Sequence, residues 1–216
     1  MLKVLCVLKS SSAQGQGFGP MYVHKLRDAV KRHLKMPHEF ICLTDLPADR
    51  FDCKTEPLTD DLKGWWSKIE LFKYKGPCLY FDLDTVLTGS VKGIAEAVCG
   101  KGDEDGVRKA RLYMLTPSRA TERWASGVMA WRGDLSKIHS FFARKDMDRF
   151  RWDQRYVSFA ADKLRIEIVA VQKYTEVHSY KWHCKEKLPK GAQIICFHGR
   201  PRPHEVKDSW VQEHWR

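Results

Sequence analysis

Two carboxylates stand two residues apart in an otherwise apolar run, Leu79-Tyr80-Phe81-Asp82-Leu83-Asp84-Thr85-Val86-Leu87. Read as a strand, the run turns Asp82 and Asp84 to one face. Converging carboxylates repel each other unless a cation joins them. Oxygen ligands favour Mg²⁺ or Mn²⁺, ions that commonly hold phosphates. The pattern predicts a metal–diphosphate site. A solvated, Asp-rich turn at a strand end would give the same tripeptide without chemistry, so the surrounding elements must decide.

Residues 3–9 are rich in Val and Leu, as a buried parallel strand requires. A Ser/Gly/Gln loop, 10–20, precedes helical spacing over 21–34, with Tyr22, Leu26, Ala29, Val30 and Leu34 on one stripe. Phe40-Ile41-Cys42-Leu43 reads as a second strand closed by a Thr-Asp-Leu-Pro turn, which completes a βαβ opening. Trp65 to Phe72 reads as a helix, and Gly76-Pro77 breaks it before the Asp82/Asp84 strand. Further helices are expected at 90–99, 135–142 and 154–161, with strands at 111–115, 126–131, 166–171 and 193–197. Gly15-Gln16-Gly17-Phe18-Gly19 has GxGxG spacing and no acidic residue closing the second strand in the dinucleotide-binding manner, so it reads as a loop.

At 216 residues, 43% of them hydrophobic, the chain fits one globular domain with a sizeable core. No apolar run approaches the ~18–20 residues that span a bilayer. The first residues are too short for a signal peptide, so a soluble, cytoplasmic protein is expected. Seven scattered cysteines without a CxxC pair argue against a disulfide framework or a zinc ribbon. His178, His183 and Cys184 lack a suitably spaced fourth ligand and read as a polar loop. The net charge of +11 divides as +5 over 1–40, −3 over 41–100, +5 over 101–155, zero over 156–180 and +4 over 181–216. Such a balance suits a polyanionic partner, nucleotide phosphates alone, or a merely basic surface.

Phe81-Asp82-Leu83-Asp84-Thr85-Val86-Leu87 satisfies two signatures. One is that of haloacid dehalogenase-like phosphatases, in which the first Asp attacks phosphorus. That pattern belongs on a first strand, whereas here it follows a whole βαβ unit. It also needs a later acidic pair, and Asp103-Glu104-Asp105 and Asp146/Asp148 fall in polar stretches expected to be exposed. The other is the DxD of nucleotide-sugar transferases. Beside it stand Trp65-Trp66-Ser67-Lys68-Ile69-Glu70-Leu71-Phe72 upstream, then Ser126-Gly127-Val128-Met129, Trp152-Asp153-Gln154 and Cys196-Phe197-His198-Gly199-Arg200-Pro201-Arg202-Pro203-His204. In this order the chain resembles glycosyltransferase family 8 and its bacterial and phage relatives over most of its length. The last segment departs from the family's HxxGxxKPW-like ending. In strict register the histidine falls on Cys196, the lysine on Arg202 and the tryptophan on His204. His198, two residues along the same expected strand, is assigned as the ligand because hard cations prefer imidazole to a neutral thiol.

The resemblance implies an α/β fold: one GT-A-like domain over 1–216, with a Rossmann-like mixed, mainly parallel sheet flanked by helices. Residues 1–100 would bind the nucleotide-sugar, and 101–216 would supply the acceptor half and the closing metal and phosphate motif. It implies a Mn²⁺ or Mg²⁺ cofactor on Asp82, Asp84 and His198, and a retaining transfer beside Asp153 and Gln154. The donor, UDP-linked by family default, would meet Leu8, Lys9, Ser10, Lys68, Tyr80, Phe81, Leu83, Gly199 and Arg202. The acceptor would meet Trp124, Ser126, Arg151 and Trp152. Trp65 and Trp66 are expected to line a pocket. Arg119, Arg123, Arg144, Lys145, Arg149, Arg151 and Arg155 crowd the acceptor half, which suits a polyanion such as DNA bearing hydroxymethylated bases, extruded for transfer. Surface polysaccharide or lipopolysaccharide is the rival acceptor. A non-catalytic basic nucleic-acid-binding module is the third class.

Overall fold

The computed structural model describes residues 1–10, 17–100, 109–117 and 123–216. The first half runs β1 (Leu2–Leu8), α1 (Pro20–His33), β2 (His38–Thr44), β3 (Lys54–Pro57), a 3₁₀ helix (Gly64–Lys73), β4 (Cys78–Phe81), β5 (Thr85–Leu87) and α2 (Lys92–Cys99). The second runs β6 (Arg111–Leu115), β7 (Ala125–Arg132), α3 (Ser136–Ser140), α4 (Asp146–Phe150), α5 (Asp153–Lys163), β8 (Glu167–Ala170), β9 (Val177–Ser179), α6 (Tyr180–His183), β10 (Ile194–Cys196) and α7 (Ser209–His214).

Seven strands form the main sheet in the order β3-β2-β1-β4-β7-β6-β8. The pairs β1–β2, β1–β4, β2–β3 and β6–β8 are parallel, whereas β7 runs antiparallel to both β4 and β6. Period-two alternation sends Val4, Cys6 and Leu8 of β1 into one core, with α1 and α2, and Leu5 into the other, with the 3₁₀ helix, α3 and α5. Burial on both faces explains why the strand reads as a continuous apolar run. On α1 the predicted stripe is buried at Tyr22, Leu26, Ala29 and Val30. Proline opens this helix and Lys31, Arg32 and His33 close it, each suited to its end of the dipole.

Several elements depart from expectation. The Trp65–Phe72 helix is 3₁₀ rather than α and extends over Gly64–Lys73. β3 is a polar edge strand ending in proline, which carries little hydrophobic signal. β5 and β9 have three residues each, too few to show a period. They sandwich β10 in a second, three-stranded sheet of order β5-β10-β9. His178 lies on β9, His183 on α6 and Cys184 is buried, so that segment is structured rather than a polar loop. Asp146 is buried and accepts a hydrogen bond from the Ala143 N–H, contrary to its expected exposure. Asp103-Glu104-Asp105 and Arg119 lie outside the described residues, as do Gly15 and Gln16 of the GxGxG loop. Among the described residues the cysteines form no disulfide. Among the described residues no helix is long and apolar enough to cross a membrane.

Candidate functional site

β4 stops at Phe81, so Asp82-Leu83-Asp84 is a turn and not a strand. The Asp82 carbonyl accepts the Thr85 N–H at 3.1 Å, and the Asp82 N–H donates to the Gly127 carbonyl at 2.8 Å. The two carboxylates therefore converge through a turn tied to β7, and the pleat of a strand plays no part. This turn lies at the carboxyl end of β4, beside the end of parallel β1, where open α/β sheets bind ligands.

A cavity of about 300 Å³ opens there. From β1 it takes Val7, Leu8 and Lys9, and from the 3₁₀ segment Gly64, Trp65, Ser67 and Lys68. Tyr80, Asp82, Leu83 and Asp84 form its floor, and Ala125, Ser126 and Gly127 come from β7. Trp152, Asp153 and Gln154 enter from the start of α5, and His198, Gly199 and Arg202 from beyond β10. Phe18 completes the lining.

The polar groups form one network. Lys68 Nζ lies 2.7 Å from Asp82 Oδ1 and 3.7 Å from Asp153 Oδ2. Ser126 Oγ donates to Asp153 Oδ2 at 2.6 Å, and the Tyr80 hydroxyl donates to Asp82 Oδ1. Burial opposes the Lys68 charge, yet Asp153 and Asp82 outweigh it and hold the ammonium pKa above its ordinary value. Burial pushes Asp153 up, against the pull of Lys68 and Ser126. Burial and then the neighbouring Asp82 push Asp84 up to about 6, while the Gly199 N–H, 3.3 Å from its Oδ2, works the other way. Asp153 is the first residue of α5, with Trp152 at the N-cap position.

Beyond Cys196 the strand β10 has ended, and His198 adopts a left-handed backbone (φ 53°). It reaches the cavity through this bend and not by sharing a strand face with Cys196. Burial lowers the His198 pKa, with Asp82 opposing. Cys196 is buried, and burial followed by Asp84 and Asp82 pushes its thiol far up, so it is a poor anionic ligand. The buried Arg202 guanidinium lies 4.4 Å from the Phe18 ring centroid. The Trp65 and Trp152 rings sit 4.8 Å apart along the wall, and among the described residues the buried Trp65 indole N–H has no hydrogen-bond partner.

A divalent cation fits this donor set in part. Asp82 and Asp84 offer hard oxygens in one cavity, and the repulsion that lifts Asp84 is what a cation would relieve. Against this, Asp82 Oδ1 already takes Lys68 and Tyr80, and among the described residues no group of three His, Cys, Asp or Glu side chains is gathered to hold an ion.

Of the residues assigned from sequence, Ser10, Phe81, Trp124 and Arg151 stand outside the cavity lining, as does Trp66, which is buried in the second core instead of lining a pocket. Ser10 donates its N–H and its hydroxyl to Asp45 at 2.8 Å each, and Lys9 pairs with the same carboxylate. Asp45 directly follows β2, so an acidic residue does close the second strand, held by the loop after β1. Phe81 is buried in β4, Trp124 packs on the second core, and Arg151 is exposed. Sequence reasoning missed Val7, Phe18, Gly64, Ser67, Ala125 and Gly127 as lining residues. Only Gly127 carried a signal, a glycine within a strand, where a Cβ would lie 3.5 Å from Asp82 Oδ2.

No family model and no curated protein matches the sequence. Solved structures do match the fold. The glycosyltransferase GlyE of Streptococcus pneumoniae TIGR4 superposes with a TM-score of 0.64 at 13% identity, covering 100% of this chain and 61% of GlyE. The galactosyltransferase LgtC, solved with donor and acceptor sugar analogues, gives 0.57 at 10% identity, covering 99% of this chain and 93% of LgtC. WbbM, a bifunctional glycosyltransferase, gives 0.58 at 8% identity over 99% of this chain and 49% of its own. The chain thus spans about three fifths of GlyE. Its seven-stranded sheet flanked by helices is the GT-A architecture of these proteins.

Proposed function

We propose that the protein is a glycosyltransferase that moves a sugar from a nucleotide-sugar to a hydroxyl acceptor. One observation carries the reading: a single cavity gathers Asp82, Asp84, Lys68, Asp153, Gln154, His198 and Arg202 from four separate segments. The described fold-neighbours support it, since LgtC is known with donor and acceptor sugar analogues. Family 8 membership, of the bacterial or phage type, rests on the sequence motifs.

Residues 1–100 receive the nucleotide at the ends of β1 and β4, and 101–216 supply the acceptor side. Asp82 and Asp84, with His198 alongside, would hold Mn²⁺ or Mg²⁺, which when bound supplies Lewis-acid neutralisation of the leaving diphosphate. Arg202, held by Phe18, presents a planar fork to phosphate oxygens. Lys68 adds fixed positive charge on the same side, already screened from water. Asp153, oriented by Ser126 and Lys68, and Gln154 face the sugar where the acceptor oxygen approaches. Transfer proceeds with retention, from a UDP-linked donor. Trp65 and Trp152 offer flat faces to a sugar or base. The acceptor is an anionic polymer, with hydroxymethylated bases of DNA preferred over surface polysaccharide.

Thermal-shift measurements against nucleoside diphosphates and nucleotide-sugars, with and without Mn²⁺, test the donor site. A Mn²⁺-dependent rise with one nucleotide, absent in Asp84→Ala, is expected. No shift with any donor would overturn the reading.

A further inference from the structure

The segment from Arg144 to Arg165 carries seven Lys or Arg and four Asp or Glu. Folding sorts these charges by side. All seven cations are exposed, whereas Asp146 and Asp153, half of the acids, are turned into the protein. The outer surface of α4 and α5 is therefore more basic than its sequence.

The cations on this face are interleaved with rings. The Arg149 guanidinium lies 4.7 Å from the centroids of both Phe150 and Phe159. Lys163 Nζ lies 5.8 Å from Phe159, and Phe141, itself 49% exposed, stacks on Phe159 at 6.3 Å. Nearer the cavity, the Arg151 guanidinium sits 5.4 Å from the Trp152 ring. Trp152, Asp153 and Gln154 line the cavity, and exposed Arg151 and Arg155 bracket that triplet in the chain. Arg151 holds this place with a left-handed backbone (φ 60°), an uncommon state for a side-chain-bearing residue and one that clusters at functional sites.

We infer that the outer face of α4 and α5 is a nucleic-acid docking surface that leads a single strand to the cavity mouth. Guanidinium and ammonium groups meet phosphates, while partly exposed rings beside them accept the faces of unstacked bases. An anionic glycan would meet the same cations, but its puckered rings touch an aromatic side chain through C–H groups, whereas an unstacked base lies flat on it. The inference deepens the proposed function by locating its acceptor, and it rests on that reading only for what happens to the bound strand. Binding itself is measured without a donor.

The test is fluorescence anisotropy of the full chain with a labelled, mixed-sequence single-stranded oligonucleotide over a range of salt. Two double variants change the net charge equally: Arg149→Glu with Lys163→Glu on the proposed face, and Lys31→Glu in the last turn of α1 with Lys35→Glu just beyond it. The wild type should bind with affinity that falls steeply with salt. The α4–α5 variant should lose at least about tenfold in affinity and flatten the log–log salt slope by about 1.4, at ~0.7 per phosphate contact on single strands. The α1 variant should lose far less. Lys145→Glu with Lys163→Glu keeps Arg149 on its rings and repeats the test if the first variant melts early. Phe159→Ala should weaken binding at every salt without changing the slope. Equal losses in both double variants, no binding at low salt, or tighter binding to polygalacturonate than to the oligonucleotide would each overturn the inference. The donor thermal shift reads the sugar-transfer proposal separately, so failure of one is distinguishable from failure of the other.

Discussion

The Lys68 ammonium is paired with the Asp82 carboxylate at 2.7 Å, so the first acid of the DxD turn carries its own cation within the fold. Asp153 shares that cation at 3.7 Å. The pair is mostly buried, with Lys68 at 13% side-chain exposure. Removing one partner of such a pair leaves uncompensated charge, at a cost of about 3–5 kcal/mol. Lys68→Met should therefore lower the unfolding free energy by about 3 kcal/mol in urea denaturation. A loss under about 1 kcal/mol would show that the pair behaves like a solvated surface bridge.

Asp84 behaves in the opposite sense. Its carboxyl is pushed up to about 6 by burial and by Asp82. At neutral pH without added metal, the ionised form is a burden on the fold. Asp84→Asn should raise stability by an amount on the order of 2 kcal/mol and raise the melting point accordingly. The same variant should lose any melting-point response to nucleotide plus Mn²⁺. A variant less stable than the wild type would contradict the repulsion.

A distant cluster sets an acid-side dependence. Asp60 accepts hydrogen bonds from His139 Nε2 and from Lys73 Nζ. Burial raises its pKa, but His139 and Lys73 outweigh this and leave it below its ordinary value. A depressed carboxyl contributes stability above its unfolded pKa of ~3.9 and loses it as pH falls through the folded value. Stability of the wild type should thus drop below about pH 4. Asp60→Asn should flatten that limb in thermal melts across pH, and an unchanged limb would dismiss the cluster as its source.

Close packing of α2 gives a steric prediction. A Cβ on Gly93 would stand 2.1 Å from the Tyr174 carbonyl oxygen, a contact only backbone movement can relieve. Gly93→Ala should cost about 1–3 kcal/mol by overpacking, well beyond any gain in helix propensity. A melting point equal to the wild type's would mean that the 171–174 segment yields freely.

The sequence was a good guide wherever burial wrote a period into it. Both faces of β1 and the stripe of α1 are apolar for reasons that hold along the whole element, and both were legible. Asp82, Asp84, Lys68, Asp153 and His198 were readable as residues, though not as geometry. A turn and a left-handed bend place Asp84 and His198, and neither has a hydrophobic signature. Phe18 was invisible because its role is defined by Arg202, which lies far along the chain. Asp45 was passed over because its partner Ser10 sits in a loop with no pattern to mark it.

The β5–β10 ladder places Thr85 opposite Cys196, which joins the residue after Asp84 to the strand that precedes His198. Contacts so far apart in sequence form slowly, because a long loop must close before any of them contributes. The cavity is in that sense a late event in folding. A chain released before residues 194–202 have joined β5 could hold a β1–β2–β4 core and still lack His198, Gly199 and Arg202. Competence to bind would then report completion of folding, and a donor that stabilises the native state would act on the last step to close.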